Sequence, residues 1–311
     1  MIFQHDSLMR HIEVFSGSAD PTEARVYAVA ALAEEFRLEP KQFQWNGHLI
    51  GPECEFAHTL SARIPFVHRP ADESLLAEAI VPDPCFWTPE LPFLYRAVLE
   101  LRRDDEPSVK IDRQIGIRRL GIRGRDLYFE GKRFVLRGIG GNSEWESPLE
   151  MAFLRQTWTA VVISWPTKEL CELASKCGIL IVADLRTAET DSSRGAAAET
   201  VRTVARWPAV VMAIVDANTL PSIEIRGAVH NLLIGQYVTA AEHLSVAENA
   251  QIIFAKVGEP DDFAHWAMNC NRPVIAVRRL AQQVKIEAAR DACDALQRDL
   301  APLGDFAGYV V

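Results

Sequence analysis

The sequence predicts two domains, an immunoglobulin-like β-sandwich over residues 1–117 and a small (β/α)8 TIM barrel over residues 118–311. Two observations predict this fold class. Short apolar segments separated by turn residues fill the first third of the chain, and apolar runs alternating with helical segments fill the rest. A length of 311 residues is enough for about two domains.

The first third of the chain has the pattern of an antiparallel sandwich. Proline fixes φ and removes a backbone donor, so the proline-rich stretch Val81–Pro92 cannot be a helix. Several short strands at this spacing are typical of a β-sandwich. The predicted strands are Arg25–Leu32, Phe56–Ile64, Leu75–Val81 and Leu94–Leu101.

Eight apolar runs with helix-like segments between them predict the barrel. The runs are mostly apolar, as expected for parallel strands that are buried on both faces. They are Phe134–Ile139, Ala160–Ser164, Ile179–Asp184, Val210–Val215, Leu233–Val238, Ile252–Val257, Pro273–Val277 and Phe306–Val311. The predicted helices are Thr167–Lys176, Ala196–Arg206, Asp261–Asn269 and Ile286–Leu300.

The last run, Phe306–Val311, is the predicted eighth strand, and no helix follows it. An uncovered apolar strand face rarely stays exposed on a monomer, so we expect something to cover it. The candidates are the segment Met1–Phe15, the sandwich domain and a second copy of the chain. Met1–Phe15 would cover it as an amphipathic helix, with Leu8, Ile12 and Phe15 on one face. A symmetric homodimer would hide two such faces at once.

Composition limits the classes of partner. A net charge of −9 argues against binding to nucleic acid, which needs a basic face. The six cysteines form no C-x-x-C pair, and no histidine pair has metal-ligand spacing, so we expect neither a metal nor another cofactor. No apolar run reaches the roughly 18 residues that a membrane span needs. With no basic-then-apolar start, the sequence predicts a cytoplasmic protein without membrane contact.

Several motifs in the middle of the chain resemble one enzyme family. In Phe86–Leu101, the residues Trp87, Thr88, Pro89, Pro92, Leu94 and Tyr95 match the pattern Trp-Ser/Thr-Pro-x-x-Pro-x-Leu-Tyr of glycoside hydrolase family 2. That family contains β-galactosidases and β-glucuronidases. Four further segments resemble the same family in the right order: Gln114–Leu120, Leu127–Gly138, Gly178–Asp184 and Trp207–Ile214.

The resemblance implies a retaining β-glycosidase fold whose catalytic carboxyl groups are missing. Retaining hydrolysis needs two carboxyl groups about 5 Å apart, and in this family they follow strands four and seven. Counted from Pro208, the Asn-Glu pair of the family falls on Ala217 and Asn218, and an amide cannot donate the proton. Counted from Pro273, the nucleophile falls on Arg278, whose guanidinium has no lone pair to offer.

Other carboxylates are candidates for a relocated site. Asp216 and Asn218 are expected on the same side of an extended strand, because side chains alternate. Asp216 would then reach the barrel mouth and form a carboxylate pair with Asp184 or Glu144. In the alternative interpretation, Asp216 is a hydrogen-bonded barrel residue without a chemical role.

The ligand-binding candidates are Asn142, Trp145, Arg278 and Arg279. Arginine suits carboxylate and phosphate, so Arg278 and Arg279 would bind a small anionic ligand. Alternatively, one of them forms an ion pair with Asp184 or Asp216 that neutralises buried charge. Trp145 would stack on a sugar ring or simply pack.

The sequence leaves three functions open. The first is a non-catalytic relative of family 2 glycosidases, a pseudoenzyme that binds a carbohydrate or a protein partner. The second is a hydrolase that acts on a β-glycoside through relocated carboxylates. The third is a structural subunit of a larger assembly, and the fold alone does not choose among them.

Overall fold

A computed structural model describes residues 9–32, 43–69, 74–103, 106–140, 147–186, 191–239, 246–257, 266–267, 269–278 and 285–311. The chain divides into two compact units, Met1–Arg118 and Arg119–Val311. Within the described ranges, no helix is both long and apolar enough to cross a bilayer.

The first unit contains two four-stranded antiparallel sheets. One has the order β1-β2-β6-β5, with β1 Met9–Ala19, β2 Glu23–Leu32, β5 Val67–Arg69 and β6 Ser74–Pro82. The other has the order β4-β3-β7-β8, with β3 Phe43–Glu53, β4 Ala62–Pro65, β7 Leu94–Arg103 and β8 Glu106–Ile115.

Alternating side chains from these sheets form one core. In β2 the buried residues are Val26, Ala28 and Ala30, which follow the two-residue period of a strand. The buried Trp45 of β3 donates its indole N–H to the carbonyl oxygen of Leu75 on β6, at 2.9 Å. A sheet with one buried face requires such a period, so the alternation determines which face of each strand packs inward.

Two predictions for this unit are wrong. Met9–Ala19 is strand β1, paired antiparallel with β2, and not part of an amphipathic helix. Its Val14 and Ser16 are buried while Phe15 packs on the ring of Tyr27, so the pattern has the period of a strand. Within Phe56–Ile64, only the last residues lie in a strand, and Phe56 and Leu60 are exposed on the preceding loop.

The second unit is built around a closed eight-stranded parallel barrel, in which consecutive strands are neighbours. Each of the eight predicted runs overlaps one barrel strand. The strands are β12 Leu136–Gly140, β13 Thr159–Ser164, β14 Leu180–Asp184, β15 Val210–Val215, β16 Leu233–Val238, β17 Ile252–Lys256, β18 Val274–Val277 and β19 Gly308–Val310. A small antiparallel sheet precedes the barrel, formed by β9 Leu120–Arg123, β10 Asp126–Phe129 and β11 Lys132–Phe134.

Four α-helices of this unit have described bounds: α1 Pro148–Gln156, α2 Lys168–Cys177, α3 Asp191–Val204 and α4 Ile286–Leu300. Within the predicted helix Asp261–Asn269, residues 266–267 are helical and most of the others lie outside the described residues. The Thr167 hydroxyl accepts the backbone N–H of Leu170 at 3.3 Å and caps the start of α2. Gly178, with φ of 73°, ends α2 in the left-handed region that favours glycine. Short 3-10 helices at Leu220–Ser222 and Gly227–Asn231 follow β15.

The eighth strand is covered by its own chain, so the expected bare outer face is wrong. Helix α4 packs against β19 and β12. The guanidinium of Arg137 on β12 contacts Asp294 and Gln297 of α4, and the buried Cys293 thiol donates to the Gly138 carbonyl oxygen at 3.0 Å. Residues Phe306, Ala307, Tyr309, Val310 and Val311 are all buried. The argument for a homodimer from this face is therefore removed.

Candidate functional site: the carboxyl end of the barrel

The strand register determines which side chains face the barrel interior. Arg137 points outward, because it contacts α4, so its neighbour Gly138 faces inward. A Cβ placed on Gly138 would meet Val310 and Val162, which share this inner face. Two residues that are paired across adjacent strands point to the same side of the sheet.

The same register extends the inner face to the carboxyl ends of the strands, here called the barrel mouth. Ser164 lies two residues beyond Val162 and pairs with Asp184, which pairs with Ile214. Ile214 pairs with Gly235, and Tyr237 lies two residues further along β16. The mouth is therefore lined by Ser164, Asp184, Tyr237 and, by the same pairing on β17, Lys256.

Asp184, Arg186 and Tyr237 form a polar cluster at this mouth. The Arg186 guanidinium donates from Nε and Nη2 to the two carboxylate oxygens of Asp184, at 2.8 and 2.6 Å. Its central carbon lies 4.0 Å from the centroid of the Tyr237 ring. The hydrogen bond to Asp184 raises the pKa of Arg186 despite its partial burial, so the guanidinium stays charged.

Asp216 and Asn218 lie in a turn, so the expectation that they share one side of an extended strand is wrong. Strand β15 ends at Val215, and the Thr219 N–H donates to the Asp216 carbonyl oxygen at 3.0 Å. This turn leads into the 3-10 helix Leu220–Ser222. Asp216 is half-buried and Asn218 is exposed, and both follow the fourth barrel strand.

Arg278 follows the seventh barrel strand but is directed away from the mouth. It lies two residues beyond Ala276, which pairs with Tyr309 on the outer face. Its Nη1 donates to Asp299 of α4 at 2.7 Å. The predicted ion pair of Arg278 with Asp184 or Asp216 is therefore wrong, because a single step along a strand changes the face to which a side chain points.

The candidates Asn142, Glu144, Trp145 and Arg279 lie outside the described residues. Among the described residues, no group of three or more His, Cys, Asp or Glu side chains could hold a metal ion.

Besides Ser164, Arg186 and Tyr237, two further mouth residues were not singled out from the sequence. Trp165 follows β13, is 38% exposed, and has a φ of 51°, which is costly for a bulky residue. Its backbone N–H donates to the Asp184 carbonyl oxygen at 3.2 Å, which helps to hold this conformation. Lys256 ends β17 and is exposed. Their positions at the ends of apolar runs would have indicated both residues.

Comparison with known proteins agrees with the motifs in the sequence. Residues 34–118 match the family model described as Glycosyl hydrolases family 2. A β-galactosidase from Oenococcus oeni is 36% identical over 80 residues, which are 25% of this chain and 8% of that protein. Over this part of its sequence the chain is similar to the family 2 glycosyl hydrolases.

Solved structures of β-glucuronidases share the fold of this chain. A β-glucuronidase from Bacteroides uniformis superposes with a TM-score of 0.63 at 14% identity, covering 96% of this chain and 45% of that one. A β-D-glucuronidase from Dictyoglomus thermophilum gives a TM-score of 0.62 at 12% identity, covering 97% and 61%. The chain thus spans about half the length of these structural relatives.

Proposed function

We propose that this family 2 relative binds a carbohydrate-derived ligand at the barrel mouth and does not cleave glycosides. The observation that carries the proposal is the pair of residues at the two catalytic positions that the resemblance implies. Asn218 follows the fourth strand, and Arg278 follows the seventh and bonds to Asp299 on the outside of the barrel. Neither side chain provides a carboxyl group for retaining hydrolysis.

The hydrogen bonds of Asp184 also argue against a hydrolase that acts through relocated carboxylates. Retaining hydrolysis needs a second carboxyl group about 5 Å from the first. Both oxygens of Asp184 instead accept hydrogen bonds from Arg186. A carboxylate held in this way suits a binding site or a structural ion pair better than a catalytic pair.

The strand orders of the first unit support the finer assignment to an immunoglobulin-like sandwich. Lettered along the chain, the orders β1-β2-β6-β5 and β4-β3-β7-β8 correspond to ABED and C′CFG. The Tyr95 hydroxyl accepts the Cys85 backbone N–H at 2.9 Å, as in the tyrosine corner of such domains. The second unit is correspondingly assigned to a small (β/α)8 barrel.

The test is hydrolysis of aryl β-galactosides, β-glucuronides and β-mannosides by the pure protein. We expect no release of the aryl group above the uncatalysed rate. Turnover that is lost in Asp184→Asn or Asp216→Asn would contradict the proposal and support a hydrolase with relocated carboxylates.

Binding is tested separately by thermal unfolding with sugars added. A ligand at a hundred times its dissociation constant adds about 2.7 kcal/mol to the free energy of unfolding. Stabilisation by a sugar without turnover is the result expected from the proposal.

A further inference from the structure

The polar cluster crosses the end of the fourth barrel strand. Asp184 ends β14, Tyr237 lies on β16, and β15 lies between these two strands in the barrel. Arg186 bonds to the first and stacks on the second, so its side chain spans the carboxyl end of β15. Because Asp184 and Tyr237 both face inward, Arg186 lies at the mouth, over the strand that leads to Asp216 and Asn218.

The guanidinium is held rigidly and is accessible. Asp184 occupies Nε and one hydrogen of Nη2, while Tyr237 covers one face of the guanidinium plane. The Arg186 side chain is 36% exposed, whereas the Asp184 carboxylate is 14% exposed. The carboxylate therefore lies deeper, and the guanidinium faces solvent. Because a guanidinium carries five N–H groups, some of them remain available to a ligand.

A second cation faces the same side of the barrel. Lys256 lies two residues beyond Phe254, the partner of Tyr237, so it flanks Tyr237 on the next strand. It is exposed at the end of β17. Asp184 and Arg186 neutralise each other, and among the residues described near the mouth the other carboxylate is that of Asp216, which lies in the turn after β15. A group bound above Tyr237 would thus meet the N–H groups of Arg186 that Asp184 leaves unoccupied and the ammonium of Lys256.

We propose that Arg186 and Lys256 form an anion site at the barrel mouth that takes a small carboxylate or phosphate. This inference rests on the proposed binding function of the mouth and names the group that the mouth recognises. A fixed guanidinium offers an oxyanion directed N–H groups, and the ammonium adds a mobile point charge. An oriented donor loses little conformational freedom on binding, which favours affinity.

The experiment compares probes that differ in the anionic group. Dissociation constants are measured calorimetrically for galacturonate, galactose, benzoate and inorganic phosphate with the full chain. Galacturonate and galactose share a sugar ring, so their difference reports the carboxylate. Benzoate tests a carboxylate without a sugar, and phosphate tests the other oxyanion.

The variants separate the site from general charge effects. We expect Arg186→Gln to weaken binding of the anionic probes at least about tenfold and Lys256→Gln about threefold, since hydrogen bonds to charged groups are among the stronger ones. The matched control is Arg278→Gln, which removes an arginine that bonds to an acid outside the barrel and should change binding less than about twofold. Lys256 is exposed, so its variant tests the site even if Arg186→Gln fails to fold.

The outcomes distinguish this inference from the proposed function. Anion binding that falls in both site variants but not in Arg278→Gln supports the site. Galactose binding as tightly as galacturonate, or anion binding unchanged in Lys256→Gln and Arg186→Gln, overturns the anion site while binding without cleavage stands. Absence of binding by every anionic probe also overturns it. Hydrolysis of aryl glycosides overturns the proposed function whatever the anions do.

Discussion

Replacing Leu296 with alanine should destabilise the barrel unit, because α4 provides the cover over the eighth strand. Leu296 is fully buried and shares one face of α4 with Ala289, Cys293 and Leu300. Buried Leu→Ala changes typically cost 2–5 kcal/mol, from lost burial and the cavity that remains. We expect about 3 kcal/mol, which corresponds to a fall in Tm of roughly 6–12 °C for a unit of this size.

Differential scanning calorimetry measures this change, with Leu173→Ala as the matched control. Leu173 lies on α2, another helix of the same unit, but is 43% exposed. Its truncation should cost no more than about 0.5 kcal/mol. Similar shifts for the two variants would refute the inference that α4 seals the barrel, because the buried leucine would then contribute no more than a surface one.

Three further predictions test the packing. Tyr95→Phe should lower the free energy of unfolding in a urea titration by about 1.5 kcal/mol, because it leaves the Cys85 N–H without its hydroxyl partner. An unchanged unfolding midpoint would contradict this. Gly178→Ala should cost about 1 kcal/mol by the same measurement, since φ is 73° there, and a gain in stability would show that strain is absent. Burial raises the pKa of Cys171 to about 12 and that of Cys293 to about 11. Their thiols should therefore stay protonated at pH 8 and react with iodoacetamide more slowly than Cys54, as followed by mass spectrometry; equal rates would argue against their burial.

The barrel was predictable because its strands are buried on both faces. Val210–Val215 is an uninterrupted apolar run, Leu233–Val238 is interrupted only by Gly235 and Gln236, and the structure gives both strands the predicted bounds. The sandwich strands were harder, because each has only one buried face. In β3 the buried Phe43, Trp45 and Leu49 are interspersed with polar residues and glycine, so no apolar run marks the strand.

The site was less predictable than the fold, because its geometry depends on single-residue steps. Whether Arg278 lines the mouth or meets α4 is decided by which face of β18 it follows. The cluster of Asp184, Arg186 and Tyr237 joins residues on either side of a third strand. Sequence spacing carries no information on such a contact until the barrel register is known.

The contact of β19 with β12 has a consequence for how the barrel forms. Gly138 and Val310 are paired on adjacent strands at the closure of the barrel, although almost the entire barrel sequence separates them. Bringing such distant residues together costs conformational entropy that no contact between sequence neighbours offsets. This pairing should therefore form late in folding. Helix α4 bonds to β12 and precedes β19 in the chain, which makes it the element that carries the last strand to the first. The amide protons of Gly140 and Val311, which bond across this junction, should consequently report when the ring is complete.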